Sequence, residues 1–297
     1  MFFDTFCQAE QESEIRLTNN SLVDKISHLL TLFVRDCTST SLTMEPRTTL
    51  PLDIFLHIID LLAGRDDKDI KSLQILSQAC KSMVPLCRKH LFSSLRLYDF
   101  NLERFNDLLS KNPDIACYVR SLKFIVFNKN NTTYHELNCL DVLKERSSLQ
   151  SIELSSLGLD WNNLPESVRS SLVSLIQLPT VTHLDICSFK GFPVMVLSGC
   201  TNLIDLRLGP LKLVPPEVSQ VISRSKIPTP VSLYIRTSTF GLAALLNCAS
   251  LQTRGPIVDF SRLQKATFNV NFPAEFGHVN ELINVTTRLE YFNLTSE

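Results

Sequence analysis

Serine, histidine, aspartate and cysteine all occur in this chain, so nucleophilic, acid–base and metal chemistry come first. None of these is organised by spacing. The nine cysteines form no C-x-x-C pair; Cys80 and Cys87 stand seven apart, Cys187 and Cys200 thirteen apart. The six histidines show neither H-x-H nor H-x-x-x-H. Zinc needs thiolate and imidazole ligands at short, regular spacings, so the cysteines read as free thiols that behave as small hydrophobes. No nucleophile elbow brings a serine toward a base. Neither G-x-G-x-x-G nor G-x-x-x-x-G-K-[ST] offers a phosphate cradle in a chain with only eight glycines. Lys and Arg number 29 against 30 Asp and Glu, without the basic excess of a nucleic-acid footprint. The sequence therefore assigns no catalytic residue, no metal and no cofactor. The chemistry left is that of binding.

Binding residues stand out because a pattern repeats. The segments VRSLKF (119–124), LQSIEL (149–154), VTHLDI (181–186), LIDLRL (203–208), VSLYI (231–235), LQKATF (263–268) and LEYFNL (289–294) share apolar-x-x-apolar-x-apolar, the fifth only in its second half. Their central residues are Leu122, Ile152, Leu184, Leu206, Leu233, Ala266 and Phe292. These stand between 22 (Leu184 to Leu206) and 33 (Leu233 to Ala266) residues apart. Helix-like runs such as NLERFNDLLSK, HELNCLDVLKER and PESVRSSLVSLIQ lie between them. A strand and a helix recurring at this period are the signature of a leucine-rich solenoid. Side chains alternate across a strand, so Lys123, Glu153, Asp185, Arg207, Tyr234, Thr267 and Asn293 are expected on the exposed concave face. As a set they are the candidate substrate-binding surface; singly, each also fits a solvated strand position. The competing fold is a general α/β protein whose strands happen to be leucine-rich.

Ahead of the repeats the stretch TLPLDIFLHIIDLL (49–62) predicts a helix with Pro51 at its first position. Its polar residues Asp53, His57 and Asp60 fall within an arc of about 60°, leaving roughly 220° apolar. A surface helix needs an apolar stripe only a little over 100° wide. Eight apolar residues lie between Leu52 and Leu62. Leaving half of them in water would forgo roughly 6–12 kcal/mol, which rivals the stability of a whole domain. IKSLQILSQACKSM follows, with Ile70, Leu73, Leu76, Cys80 and Met83 at helical spacing. Pro85 then opens a third helix over PLCRKHLFSSLRL (85–97). The organisation read from this is a weakly specified extension (1–47), a three-helix module (48–98) and the repeats (99–297). A product starting at Met44 and a covered or continued final strand are further expectations.

The helical module resembles an F-box, in particular the F-box-like proteins of mushroom-forming fungi. Leu50 and Pro51, the pair Ile58 and Ile59, Leu62, and Cys80 with Lys81 all fall where that family has them; Met83 stands where many members carry Trp. An F-box followed by leucine-rich repeats is a known family architecture. The resemblance implies an α/β solenoid: a three-helix F-box-like module, then an irregular leucine-rich-repeat horseshoe of about seven units with a concave parallel sheet. It also implies a partner, the Skp-family adaptor of a Skp–cullin–F-box ubiquitin ligase, and through it a cullin scaffold. The implied adaptor contacts are Leu50, Pro51, Ile54, Ile58, Leu73, Leu76, Cys80 and Lys81. The chain itself would be no enzyme but a substrate receptor. The alternative is a leucine-rich scaffold outside any ligase, with the first helices capping the solenoid. No basic n-region precedes the first apolar residues and no run is long enough to span a bilayer, so the expected location is cytoplasmic, nuclear or both, with no membrane and no nucleic-acid partner.

Overall fold

The computed structural model describes residues 52–62, 67–79, 83–127, 138–214, 227–236, 245–246, 257–269 and 276–295. The chain divides into two compact units, Met1–Leu91 and Phe92–Glu297. The expected extension 1–47 and the start at Met44 lie outside the described residues.

Among the described residues the first unit contains three helices: α1 (Leu52–Leu62), α2 (Asp67–Ala79) and α3 (Val84–Leu91). Pro85 is the second residue of α3, where its missing N–H costs nothing. Among the described residues Ile59 of α1, Leu73 and Leu76 of α2, Met83 just ahead of α3 and Cys87 of α3 meet in one core. Ile58, Leu86 and Leu91 pack against its rim. His90 Nε2 on α3 lies 3.2 Å from Asp60 Oδ1 on α1.

The third helix was expected to run to residue 97, and here the chain differs. It stops at Leu91, and Ser94–Tyr98 forms a strand, β1. The reason is local: Leu95 and Leu97 are buried while Ser94 and Arg96 are exposed, a period of two rather than 3.6.

The second unit is an α/β assembly. Helices α4 (Leu102–Lys111), α5 (Asn138–Arg146), α6 (Glu166–Ile176) and α7 (Phe276–Val285) alternate with strands. The main strands are β1, β2 (Ser121–Val126), β3 (Ser151–Ser156), β4 (His183–Cys187), β6 (Asp205–Leu208), β8 (Ser232–Arg236), β9 (Lys265–Asn269) and β10 (Tyr291–Thr295). They form one eight-stranded sheet in chain order, and every pairing is parallel. Two short strands, β5 (Phe192–Pro193) and β7 (Leu213–Val214), make a separate parallel pair. Parallel neighbours need a crossover, usually helical. The connection from β4 to β6 instead uses β5 and the 3₁₀ segment Val194–Gly199, because the shortest repeat leaves too few residues for a full helix.

Each strand begins with the same contact. The N–H groups of Ser121, Ser151, His183, Asp205, Ser232, Lys265 and Tyr291 donate to the carbonyls of Ser93, Arg120, Gln150, Thr182, Ile204, Val231 and Gln264 at 2.9–3.1 Å. The apolar residue leading five of the seven patterns is buried just ahead: Val119, Leu149, Val181, Leu203 and Leu263 are at most 2% exposed, while Leu289 is half-buried. The imperfect fifth segment obeys the same plan, with Pro230 buried in that place. The seven segments are joined by an eighth, Phe92-x-x-Leu95-x-Leu97, so the sheet starts at Ser94 and not beyond residue 99.

From Leu95 to Ala266 the inward row is buried, and the second inward row, Leu97 to Phe268, is buried likewise. Amphipathic helices cover these rows: Leu102, Phe105 and Leu109 of α4 are buried at spacings of three and four. At β10, which pairs only with β9 among the described residues, Phe292 and Leu294 stay about 40% and 39% exposed. Among the described residues no helix is long and apolar enough to cross a membrane.

This packing makes a prediction. Phe124 is fully buried and its strand neighbour Lys123 is half-buried. Phe124→Ala should lower the unfolding free energy by about 3–5 kcal/mol, and Lys123→Ala by no more than about 1 kcal/mol. Urea denaturation followed by circular dichroism measures both.

Candidate functional site

Parallel pairing without slippage turns sequence spacing into a line of side chains. Arg96 pairs in register with Lys123, Lys123 with Glu153, Glu153 with Asp185, Asp185 with Arg207, Arg207 with Tyr234, Tyr234 with Thr267 and Thr267 with Asn293. All seven residues singled out from the repeats therefore share one row on the outward face, and all are half-buried or exposed. Eight strands at ~4.8 Å spacing give this row a length of roughly 34 Å. Arg96 is the member missed by the sequence reading. The signal for it was present in FSSLRL (92–97), which carries the repeat pattern but was joined to the preceding helix.

The row is ordered in charge: two cations, two acids, one cation, then the uncharged Tyr234, Thr267 and Asn293. Neighbours cancel in part. Lys123 forms an ion pair with Glu153. Arg207 binds Asp205 two residues back on the same face, with Nε and Nη2 each 3.0 Å from Asp205 Oδ2. Asp205 is 8% exposed, and its Oδ1 has no hydrogen-bond partner among the described residues.

Asp185 sits between these two pairs. Burial pushes its carboxyl up to about 6, and the Glu153 and Asp205 carboxylates add to the shift while Arg207 and Lys123 oppose it. It lines a hollow of about 190 Å³ together with Ser151, Glu153, His183, Asp205 and Arg207. His183 Nδ1 and Thr182 Oγ1 are 2.8 Å apart at its rim. Such a hollow can hold a polar or charged side chain.

The helical unit carries a second candidate surface. Of the expected contact residues, Ile54 is 42% exposed and Ile58 half-buried. Leu73 and Leu76 are a correction: at 1% and 3% exposure they hold α2 in the unit's own core and offer no surface to a partner. Leu50, Pro51, Cys80 and Lys81 lie outside the described residues. Three exposed aliphatics were not singled out beforehand: Leu56 at 40%, Leu61 at 59% and Ile75 at 61%. Ile54, Ile58 and Leu61 fall within roughly 60° of one another on α1, about 100° or more from Ile59, which points into the core.

Among the described residues the remaining thiols and acids form no further centre. Cys87, Cys139 and Cys200 are free and buried, and burial pushes Cys139 up to about 11 and Cys200 up to about 12. Among the described residues no group of three or more His, Cys, Asp or Glu side chains converges as a metal site would require. No protein-family model matches the chain, and no curated protein matches it.

Asp185 gives this surface a pH signature. The folded chain holds the Asp185 proton more tightly than an unfolded aspartate does, so its contribution destabilises the fold as pH rises from ~4 to the folded value of about 6 and is constant above it. Asp185→Asn should raise the urea midpoint at pH 7.5 relative to wild type, and the two midpoints should converge near pH 4.

Proposed function

We propose that this protein is the substrate-recognition subunit of a Skp–cullin–F-box type ubiquitin ligase. In this reading the helical unit is an F-box that docks the Skp-family adaptor, and the α/β unit is a leucine-rich solenoid that holds a protein substrate on its outward sheet face. The observation that carries it is the apolar surface of α1 and α2: Ile54, Leu56, Leu61 and Ile75 are each about half exposed, and none of them belongs to the buried core among the described residues. Covering what remains open on these four side chains would contribute roughly 3–6 kcal/mol, a useful share of a protein–protein affinity.

Support from the sheet is of a different kind. A row of mixed charge and polarity some tens of ångströms long suits a polypeptide better than a compact metabolite. Its length matches about ten extended residues, and its polarity sets a direction for them. No catalytic group is needed in this chain. Adaptor and cullin would hold a separate ubiquitin-loaded enzyme near the bound substrate, raising the effective concentration of the acceptor lysine. Leu50, Pro51, Ile54, Ile58, Cys80 and Lys81 remain the adaptor contacts implied by the F-box resemblance, joined here by Leu61 on the same face of α1. The reading places the protein in the cytoplasm, the nucleus or both.

The test is a pull-down of purified Skp-family adaptor with the full chain and with Ile54→Lys/Leu61→Lys. Both positions are exposed, so the variant should unfold within a few degrees of wild type. Retention of adaptor by wild type and its loss by the variant are expected. Adaptor absent from both samples overturns the ligase reading, and a variant that also unfolds at much lower temperature points to helices acting as an internal cap.

A further inference from the structure

The strands β3, β4 and β6 end in three loops that were not part of the repeat pattern, and these loops stack as regularly as the strands do. Gly158 N–H donates to the Ser188 carbonyl at 3.0 Å, and Ser188 N–H to that of Pro210 at 2.7 Å. Farther along, Lys190 N–H donates to Leu159 O at 2.9 Å and Lys212 N–H to Phe189 O at 3.0 Å. Gly158 in the first loop and Ser188 and Gly191 in the second take positive φ values of 77°, 61° and 69°, which turn these two loops sharply. The Ser156 hydroxyl donates to Ser188 O at 2.5 Å and accepts from Leu159 N–H at 3.2 Å, tying the first loop to the second. Behind them Trp161 is buried against Phe189 and Phe192, edge to face, with ring centroids 5.6 and 4.8 Å away. This is a rigid wall.

The stacked loops enclose a groove of about 760 Å³. Volumes of this size accommodate a drug-sized molecule or a few peptide side chains. Leu157, Phe189, Leu211 and Leu213 supply its apolar lining, and Lys190 and Lys212 are exposed at its edge. Leu157 is 67% exposed and forms an apolar lip. None of the lining residues is acidic, and neither lysine has an ion-pair partner among the described residues. An apolar trough bordered by two ammonium groups without an ion-pair partner among the described residues is complementary to a ligand that is apolar and anionic at once. The groove lies at the ends of the same three strands whose central residues are Glu153, Asp185 and Arg207, so a chain laid on the sheet face can continue into it.

We propose that this groove binds a short acidic–apolar segment of a partner protein, an aliphatic or aromatic side chain packing on the exposed Leu157 while neighbouring Asp or Glu carboxylates pair with Lys190 and Lys212. The inference deepens the proposed function by giving the substrate segment a chemical class, and it rests on that reading only for the statement that the partner is a protein. Charge supplies orientation, since each carboxylate–ammonium pair at a rim contributes little on its own. The apolar side chain supplies the larger share of the affinity.

The experiment uses the full chain without adaptor. A phage-displayed library of random dodecapeptides is selected on wild type, and enriched peptides are synthesised with a fluorescent label and titrated by anisotropy against wild type and Lys190→Glu/Lys212→Glu. The expected result is enrichment of peptides that place Asp or Glu beside Leu, Ile, Phe or Trp. Their affinity should be about tenfold weaker for the double variant and weaker for wild type at high salt. Failure of any sequence to enrich, enrichment of basic or uncharged peptides, or equal affinity for the two proteins overturns the proposal. Unchanged thermal unfolding of the variant, whose two sites are exposed, separates loss of the groove from loss of the fold. Adaptor pull-down by the same double variant is expected to match wild type. A chain that takes acidic–apolar peptides but never adaptor keeps the groove and loses the ligase reading, and the converse result does the opposite.

Discussion

The larger unit depends on one constraint: eight parallel strands hold the same register, so that two inward side chains per strand always fall in line. Parallel pairing by itself contributes modestly. What fixes it is that a slip of one residue would exchange every buried leucine for a charged or polar neighbour. Between Leu95 and Phe268 each such exchange would place a residue such as Lys123, Glu153 or Arg207 in a core whose own residues are almost fully enclosed. Unpaired charges are not tolerated there. The repeated contact at the start of each strand, from Ser121 N–H to Ser93 O and onward to Tyr291 N–H and Gln264 O, fixes the register a second time.

The same register that protects the core composes the surface. Once Leu122, Ile152, Leu184 and Leu206 are aligned inside, Lys123, Glu153, Asp185 and Arg207 have no choice but to align outside. Like charges then become neighbours. Glu153 and Asp185 stand on adjacent strands, and the raised titration of Asp185 is the cost of that proximity together with burial. Such a cost is retained most easily where the face meets something that relieves it, which accords with a binding role for the row.

The helical unit poses the reverse case. Among the described residues its core holds Ile59 of α1 with Leu73, Leu76, Met83 and Cys87. Short helices bury little surface on their own, and Ile54, Leu61 and Ile75 remain outside. Exposed aliphatic side chains on α1 and α2 leave an apolar surface open to shelter from another body. In the proposed reading that shelter is the adaptor, and the unit's modest core and its exposed face are two aspects of one design.

Much of this was legible from residue order. Apolar-x-x-apolar-x-apolar marked seven of the eight sheet strands, because alternation across a strand is a local property. It also marked the seven outward residues later found in a single row. The helices α4, α5 and α6 fell within the runs that suggested them. What residue order did not yield depends on contacts between distant segments. FSSLRL reads equally well as the end of a helix until β2 is present to pair with Ser94–Tyr98. Leu73 and Leu76 look like any exposed apolar stripe until Ile59 and Cys87 close over them. The groove beneath Leu157 exists only because three loops of different sequence end on adjacent strands, so no single loop predicts it. The sequence by itself determined periodicity, and with it which side chains face in or out along each strand. Tertiary packing alone decided which faces were covered and which charges became neighbours, because burial and electrostatic proximity are properties of pairs that the chain separates.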